Sequence, residues 1–232
     1  MRVQGTLQLP GDKSISHRAI MLSAIADGVS YVRNLNDGAD LQSTINILRD
    51  CGASINHKED ELIINGKKLH SPSKDLDCGN SGTTTRLVAG LLASQKLTFS
   101  LIGDESLSKR PMKRIITPLK SMGCKISSNN GLLPLSIDAS DGTSAIDFDM
   151  KVASAQVKSC ILFSALGGNN VSSINEIIPT RNHSEIMLKN MGASIEREGS
   201  KIIVHPLKSK LKPIDISIPS DPSSAAFFAA LA

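Results

Sequence analysis

The 232 residues are 40% hydrophobic and 21% charged with a formal net charge of +4, the profile of a globular chain with material for one large core or two small ones. No apolar run approaches the ~18 residues of a membrane span, and the opening MRVQGTLQLPGDK lacks the apolar centre of a secretion signal. With one Tyr, five Phe and no Trp there is little to stack on bases, so the mild positive charge points to anionic small molecules and away from nucleic acid.

The first predicted helix opens in GDKSISHR, residues 11–18, with Ser14 as its leading hydroxyl. A second carries Leu41, Ile45 and Leu48 on one face and ends at Gly52, which suits the left-handed position that closes a helix. Ile55, the polar turn KED and the pair Leu62/Ile64 then form a β-hairpin signature. The pattern returns with GNSGTTTR (79–86), led by Ser81, followed by Ile115, Leu119 and Met122, then Gly123, Ile126, the turn SNNG and Leu133/Leu135. It returns again with ASAQVKS (153–159), led by Ser154, then Gly192, Ile195, the turn REGS and Ile202/Val204. The marker glycines Gly52, Gly123 and Gly192 stand 71 and 69 residues apart, so one supersecondary unit is stacked three times. A fourth start, IPSDPS (218–223), repeats LPGDKS (9–14), with Pro222 and Phe227 where the first copy has Lys13 and Arg18. Its helix meets Ala232 without a cap or hairpin, and the expectation is a chain cut within its fourth copy.

The three complete helix starts also carry the chemistry. One hydroxyl suffices to cap a helix, yet Asn80–Thr85 supplies five polar residues around Gly82. Exposed N–H groups at the positive ends of helices bind anions. Repeated three times and joined by Lys13, Arg18 and Arg86, such ends predict a cluster around one polyanion. Arg110, just before Pro111, can aim its planar fork at a carboxylate or phosphate, whereas Lys113 and Arg114 belong to a solvated face. Of Gln156 and Lys158, two positions apart, one can reach the ligand while the other points elsewhere. Asn182 and Glu185, after Arg181, form a weak capping box. The five histidines and four cysteines show no metal-ligand spacing, no GxxxxGK[ST] occurs and no nucleophile elbow is present. Cys51, Cys78, Cys124 and Cys160 fit no disulfide framework, so reduced thiols in the cytoplasm are expected.

Taken in order, PGDKSISHR, GNSGTTTRL, SKRPM, ASAQVKS and TRNHSE resemble the 5-enolpyruvylshikimate-3-phosphate synthases (3-phosphoshikimate 1-carboxyvinyltransferases), and the last two look most like the subgroup with SAQVKSA and RDHTE motifs. The resemblance covers essentially the whole chain and about half of that family's length. It implies an α/β fold of the inverse α/β barrel kind, a pseudo-threefold repeat of βαβαββ units. Residues 12–217 would be the first domain; 1–11 and 218–232 would be fragments of a second domain that is largely missing. It implies transfer of the enolpyruvyl group of phosphoenolpyruvate to the 5-hydroxyl of shikimate 3-phosphate, without metal or organic cofactor, by a monomer when full length. Lys13 would contact phosphoenolpyruvate near the reacting carbon, together with Asn80, Gly82, Arg110 and Gln156. Shikimate 3-phosphate would lie against Lys13, Ser14, Arg18, Ser154, Ala155, Gln156 and Arg181. Ala155 departs from relatives with Ser at that place, so one hydroxyl contact would be absent or replaced by a backbone N–H. The main acid and base groups would belong to the second domain. Two alternatives stand beside this reading. The sister family acting on UDP-N-acetylglucosamine has Lys-Asn where this chain has Lys13-Ser14, and a Cys in the loop that here is Gly103–Lys109. The other is a non-catalytic anion-binding module.

Overall fold

The computed structural model describes residues 5–230. Its first unit runs α1 (Lys13–Ala24), β1 (Gly28–Arg33), α2 (Ala39–Asp50), β2 (Ser54–Lys58) and β3 (Glu61–Gly66). The second runs β4 (Leu76–Asp77), α3 (Gly82–Ser94), β5 (Thr98–Ile102), the short α4 (Glu105–Ser108), α5 (Lys113–Ser121), β6 (Lys125–Asn129) and β7 (Leu132–Asp138). The third runs β8 (Asp147–Asp149), α6 (Ala155–Leu166), β9 (Ser172–Asn175), α7 (His183–Asn190), β10 (Ile195–Glu198) and β11 (Lys201–Val204). β12 (Asp215–Ser217) and α8 (Pro222–Ala229) follow.

The predicted helix ends hold. Gly52, Gly123 and Gly192 adopt φ of 92°, 95° and 92°, a region that L side chains enter only with strain. Each is followed by the expected hairpin, β2–β3, β6–β7 or β10–β11, all antiparallel. The alternating residues Leu62 and Ile64, Leu133 and Leu135, and Ile202 and Val204 are buried.

Each unit contributes one four-stranded mixed sheet: β12-β1-β3-β2, β4-β5-β7-β6 and β8-β9-β11-β10. In the second and third units the helix crosses between two parallel neighbours, β4 to β5 and β8 to β9. The first unit has no such strand ahead of α1 among the described residues. Its parallel neighbour is β12, which pairs Tyr31 with Asp215 and Arg33 with Ser217. The fourth strand of the first sheet is therefore supplied from about 180 residues further along the chain, as the pairing of Tyr31 with Asp215 shows.

Between the sheets lie α1, α3 and α6, whose residues are buried almost all round, while α2, α5 and α7 bury one face. The helices α3 and α6 pack so closely that a Cβ on Gly90 would lie 2.2 Å from the Cys160 carbonyl oxygen. At the other end of the contact, a Cβ on Gly167 would lie 2.1 Å from the Ser94 carbonyl oxygen. The segments entering α1 and α8 run side by side. Asp12 N–H donates to Pro219 O at 2.8 Å, and Asp221 N–H donates to Pro10 O at 2.9 Å. No residue of α8 is buried, and Phe227 is 77% exposed.

Capping is decided by position at α1 and is corrected at α7. Asp12 caps α1, accepting from Ile15 N–H at 2.8 Å, because it stands one residue outside the helix while Ser14 lies within it. Asn182 precedes α7 without a side-chain cap, and Glu185 turns into the core to meet Lys158 instead of closing a capping box. Ser81 and Ser154 do cap α3 and α6, accepting from Thr84 and Val157 N–H.

Candidate functional site

The site is built where the first turns of α1, α3 and α6 meet the loop before α7. Arg18 lies one turn into α1 and is only 3% exposed, so its guanidinium must be satisfied within the protein. Its Nε donates to Ser184 Oγ at 2.7 Å, Nη2 to Ser159 Oγ at 2.8 Å and Nη1 to Ser14 O at 2.7 Å. All three partners are neutral. Burial lowers its pKa to about 10, against the pull of Glu185 and Asp12, which leaves it cationic at neutral pH. Arg181 reaches across from the loop before α7, and its Nη1 donates to Ser14 Oγ at 3.2 Å.

These two arginines face a cavity of about 430 Å³, lined also by Ser14, Thr83, Ser154, Ala155, Gln156 and Thr180. Among the described residues, Arg18 and Arg181 are its only ionisable lining groups. A cavity with two guanidiniums and no carboxylate is set up for a dianion such as a phosphate monoester.

Gln156 joins this cavity to a second group of cations. Its Nε2 donates to Thr83 Oγ1 at 2.9 Å, and its Oε1 accepts from Arg86 Nη1 at 2.9 Å. Burial lowers the Arg86 pKa, and the neighbouring cations Arg110 and Arg114 lower it further. Arg110 Nη2 donates to Asn80 Oδ1 at 2.6 Å, and Asn80 Nδ2 donates to Asp104 Oδ2 at 2.6 Å. Asp104 caps α4, and the N–H groups it accepts hold its carboxyl below the usual range. The relay fixes where Arg110 points. Gly82 opens onto both guanidiniums: a Cβ there would lie 2.7 Å from Arg86 Nη1 and 3.6 Å from Arg110 Nη1.

Lys13 stands apart from the cavity wall. Its ammonium pairs with Asp40 at 2.8 Å, with the lysine side chain 47% exposed. Behind this pair, His17 Nδ1 lies 2.8 Å from Thr44 Oγ1, which lies 2.8 Å from Thr84 Oγ1, and Thr84 in turn donates to Ser81 Oγ at 2.7 Å. Burial drives the His17 pKa down to about 3, so the ring is neutral.

The structure thus brings Ser14, Arg18, Ser154, Ala155, Gln156 and Arg181 to one cavity, with Asn80, Gly82 and Arg110 grouped beside Arg86. The choice left open between Gln156 and Lys158 is resolved, since Gln156 faces the site and Lys158 is wholly buried. Sequence reasoning left Thr83, Asp40, Asp104, Ser159 and Ser184 unassigned. Ser159 and Ser184 lie within two of the recognised motifs, but no sequence rule pairs either with residue 18. Among the described residues, no helix is long and apolar enough to cross a membrane.

Three repeated α/β units thus bring their helix starts together at one cationic cavity. The profile described as EPSP synthase (3-phosphoshikimate 1-carboxyvinyltransferase) matches residues 1–232, and the chain belongs to that family. It is 47% identical over 229 residues to the 3-phosphoshikimate 1-carboxyvinyltransferase of Ruthia magnifica subsp. Calyptogena magnifica, covering 97% of this chain and 52% of that one. A relative of the same name from Oenococcus oeni is 47% identical over 230 residues, with the same coverage of 97% and 52%. The structure of EPSP synthase from Acinetobacter baumannii superposes with a TM-score of 0.90 at 43% identity, again over 97% of this chain and 52% of that one. The chain spans about half the length of the curated relatives it matches.

Proposed function

We propose that this chain holds shikimate 3-phosphate, and supplies part of the grip on phosphoenolpyruvate, for transfer of the enolpyruvyl group to the 5-hydroxyl. The observation that carries this reading is the cavity whose ionisable lining, among the described residues, is Arg18 and Arg181 alone. The 3-phosphate sits between those guanidiniums, with Ser14, Ser154 and the Ala155 N–H completing its hydrogen bonds. Gln156 reaches the ring, and its tie to Arg86 sets the boundary with the phosphoenolpyruvate side. There Arg110, oriented by Asn80 and Asp104, pairs with a phosphoenolpyruvate oxygen. Gly82 leaves the space that lets the anion approach the start of α3. Lys13 exchanges its bond to Asp40 for the incoming substrate and lies close to the reacting carbon.

In the reaction, the 5-hydroxyl oxygen bonds to C2 of phosphoenolpyruvate while the methylene carbon takes a proton. Loss of phosphate and of a methyl proton then restores the double bond. Preorganised cations stabilise the charge on both substrates. The proton transfers need positioned acid and base groups, which we place in the half of the relatives that this chain does not span. Assembly of the two halves around bound substrate is an induced-fit step.

Residues 12–217 form the substrate-binding domain on this reading, and the chain alone binds shikimate 3-phosphate weakly with essentially no turnover. Calorimetry with Lys13→Ala and Arg18→Ala, and phosphate-release assays with and without the complementary half of a relative, test it. Arg18→Ala is expected to weaken shikimate 3-phosphate by at least about tenfold, the loss of a charge-assisted contact. Unchanged affinity refutes the site, and substantial turnover by the chain alone refutes the division of labour. The alternative acceptor, UDP-N-acetylglucosamine, is disfavoured by Ser14 after Lys13 and by the absence of Cys from Gly103–Lys109. It serves as the negative control in the same titration.

A further inference from the structure

Lys158 is fully buried, two residues beyond Gln156 and next to Ser159, yet its ammonium does not enter the cavity. Its Nζ lies 2.9 Å from Glu176 Oε1 and 2.8 Å from Glu185 Oε1. Burying one ammonium with two carboxylates carries a desolvation cost that apolar residues of the same volume avoid. Stability alone does not account for the cluster, so its neighbours become the clue. Glu176 Oε1 accepts from both the N–H and the hydroxyl of Thr180, the residue directly before Arg181. Its Oε2 accepts from Arg197 at 3.3 Å. Glu185 directly follows Ser184, whose Oγ receives the Arg18 Nε–H. Ser159 and Ser184 lie 2.7 Å apart and together hold Arg18. One buried ammonium therefore touches carboxylates from two segments and itself stands on a third; α6 and the Thr180–Arg181 loop present polar groups to the cavity, and α7 holds Arg18 through Ser184.

We infer that Lys158, with Glu176 and Glu185, is a positioning residue that locks the α6 start, the Thr180–Arg181 loop and α7 into one frame aiming Arg18 and Arg181 at the phosphate. This rests on the proposed function and adds to it the group that sets the geometry of the grip. The frame acts chiefly on the phosphate end of the ligand, where Arg18 and Arg181 stand.

The test is calorimetry on the 232-residue chain with shikimate 3-phosphate and with shikimate, which lacks the phosphate. The variant K158M/E176Q/E185Q removes all three charges at nearly constant volume. Thr180→Val removes the hydroxyl bond from the loop to Glu176 and keeps the Thr180 N–H bond to the same carboxylate. Both should weaken shikimate 3-phosphate by about tenfold, with shikimate changed less than about twofold. In an Arg181→Ala background, Thr180→Val should add nothing further, because the two act through one contact. Full additivity with Arg181→Ala, or equal losses for both ligands, overturns the inference and leaves the site intact. Should the triple variant fail to fold, the Thr180→Val cycle alone decides. If the unaltered chain does not bind shikimate 3-phosphate, the proposed function falls and takes this inference with it.

Discussion

His17 shows how the fold uses a titratable residue as a neutral packing element. It is fully buried between the Lys13–Asp40 pair and the Thr44–Thr84–Ser81 chain, and desolvation places its pKa near 3. The unfolded chain takes up this proton as pH falls below about 6.5, the folded one only near 3, so stability is lost on acidification across that window. The slope from this one group approaches about 1.4 kcal/mol per pH unit. His17→Gln should flatten the curve: urea midpoints measured from pH 7 to 4 should fall less steeply in the variant, and parallel curves would refute the assignment. The thiols obey the same rule with opposite charge. Burial lifts Cys51 and Cys78 to about 12 and Cys124 to about 11, and raises Cys160 as well. None of the four is expected to react with Ellman's reagent in the native protein, and all four should react in denaturant. Gly82 differs from both because what its missing side chain spares is the close approach of the Arg86 guanidinium. Gly82→Ala meets only the movable end of Arg86, so thermal unfolding should change little while affinity for phosphoenolpyruvate falls.

At the level of helices, the caps and the crossing points make separate demands. Ser154→Ala removes the acceptor for Val157 N–H and should cost about 1 kcal/mol, a conventional capping loss. If Ser154 also touches phosphate, the same variant loses ligand affinity by a factor that this stability change does not explain. Gly90→Ala asks a different question, because backbone and not a side-chain tip stands 2.2 Å away. The α3–α6 contact must open, with a cost of about 1–3 kcal/mol and a fall of several degrees in Tm. The helices and hairpins were legible because their periods of 3.6 and 2 are written over seven or more residues and closed by a glycine. The strands β4, β8 and β12 were not, since two or three residues carry no period. Capping was legible at Ser81 and Ser154, where one hydroxyl stands just outside the helix. At α1 the sequence offers both Asp12 and Ser14, and position relative to the helix, not residue type, decides for Asp12. Glu185 was lost to a different force: its carboxylate is drawn into the core, 2.8 Å from the Lys158 ammonium.

For the whole molecule, the threefold repeat announced that chemistry at equivalent points would converge, and the Arg18, Arg86 and Gln156 contacts show that it does. What the repeat did not reveal is its asymmetry. Each unit places a helix start at the cavity, but the first brings Arg18, the second Arg86 and the third Gln156, so no two copies do the same work. The serine pair that holds Arg18 spans residues 18, 159 and 184, a separation that no local pattern encodes.

The closing strand carries a consequence for how the protein is made. The first sheet is missing one edge until Asp215–Ser217 arrives to pair with Tyr31–Arg33. A chain emerging from the ribosome can complete its second and third sheets in order, from contiguous sequence, but its first must wait with an open β1 edge. Nascent chains arrested before residue 215 should leave that edge sensitive to protease, while arrest well beyond residue 221 should protect it. The oldest part of the nascent protein is the last to be finished.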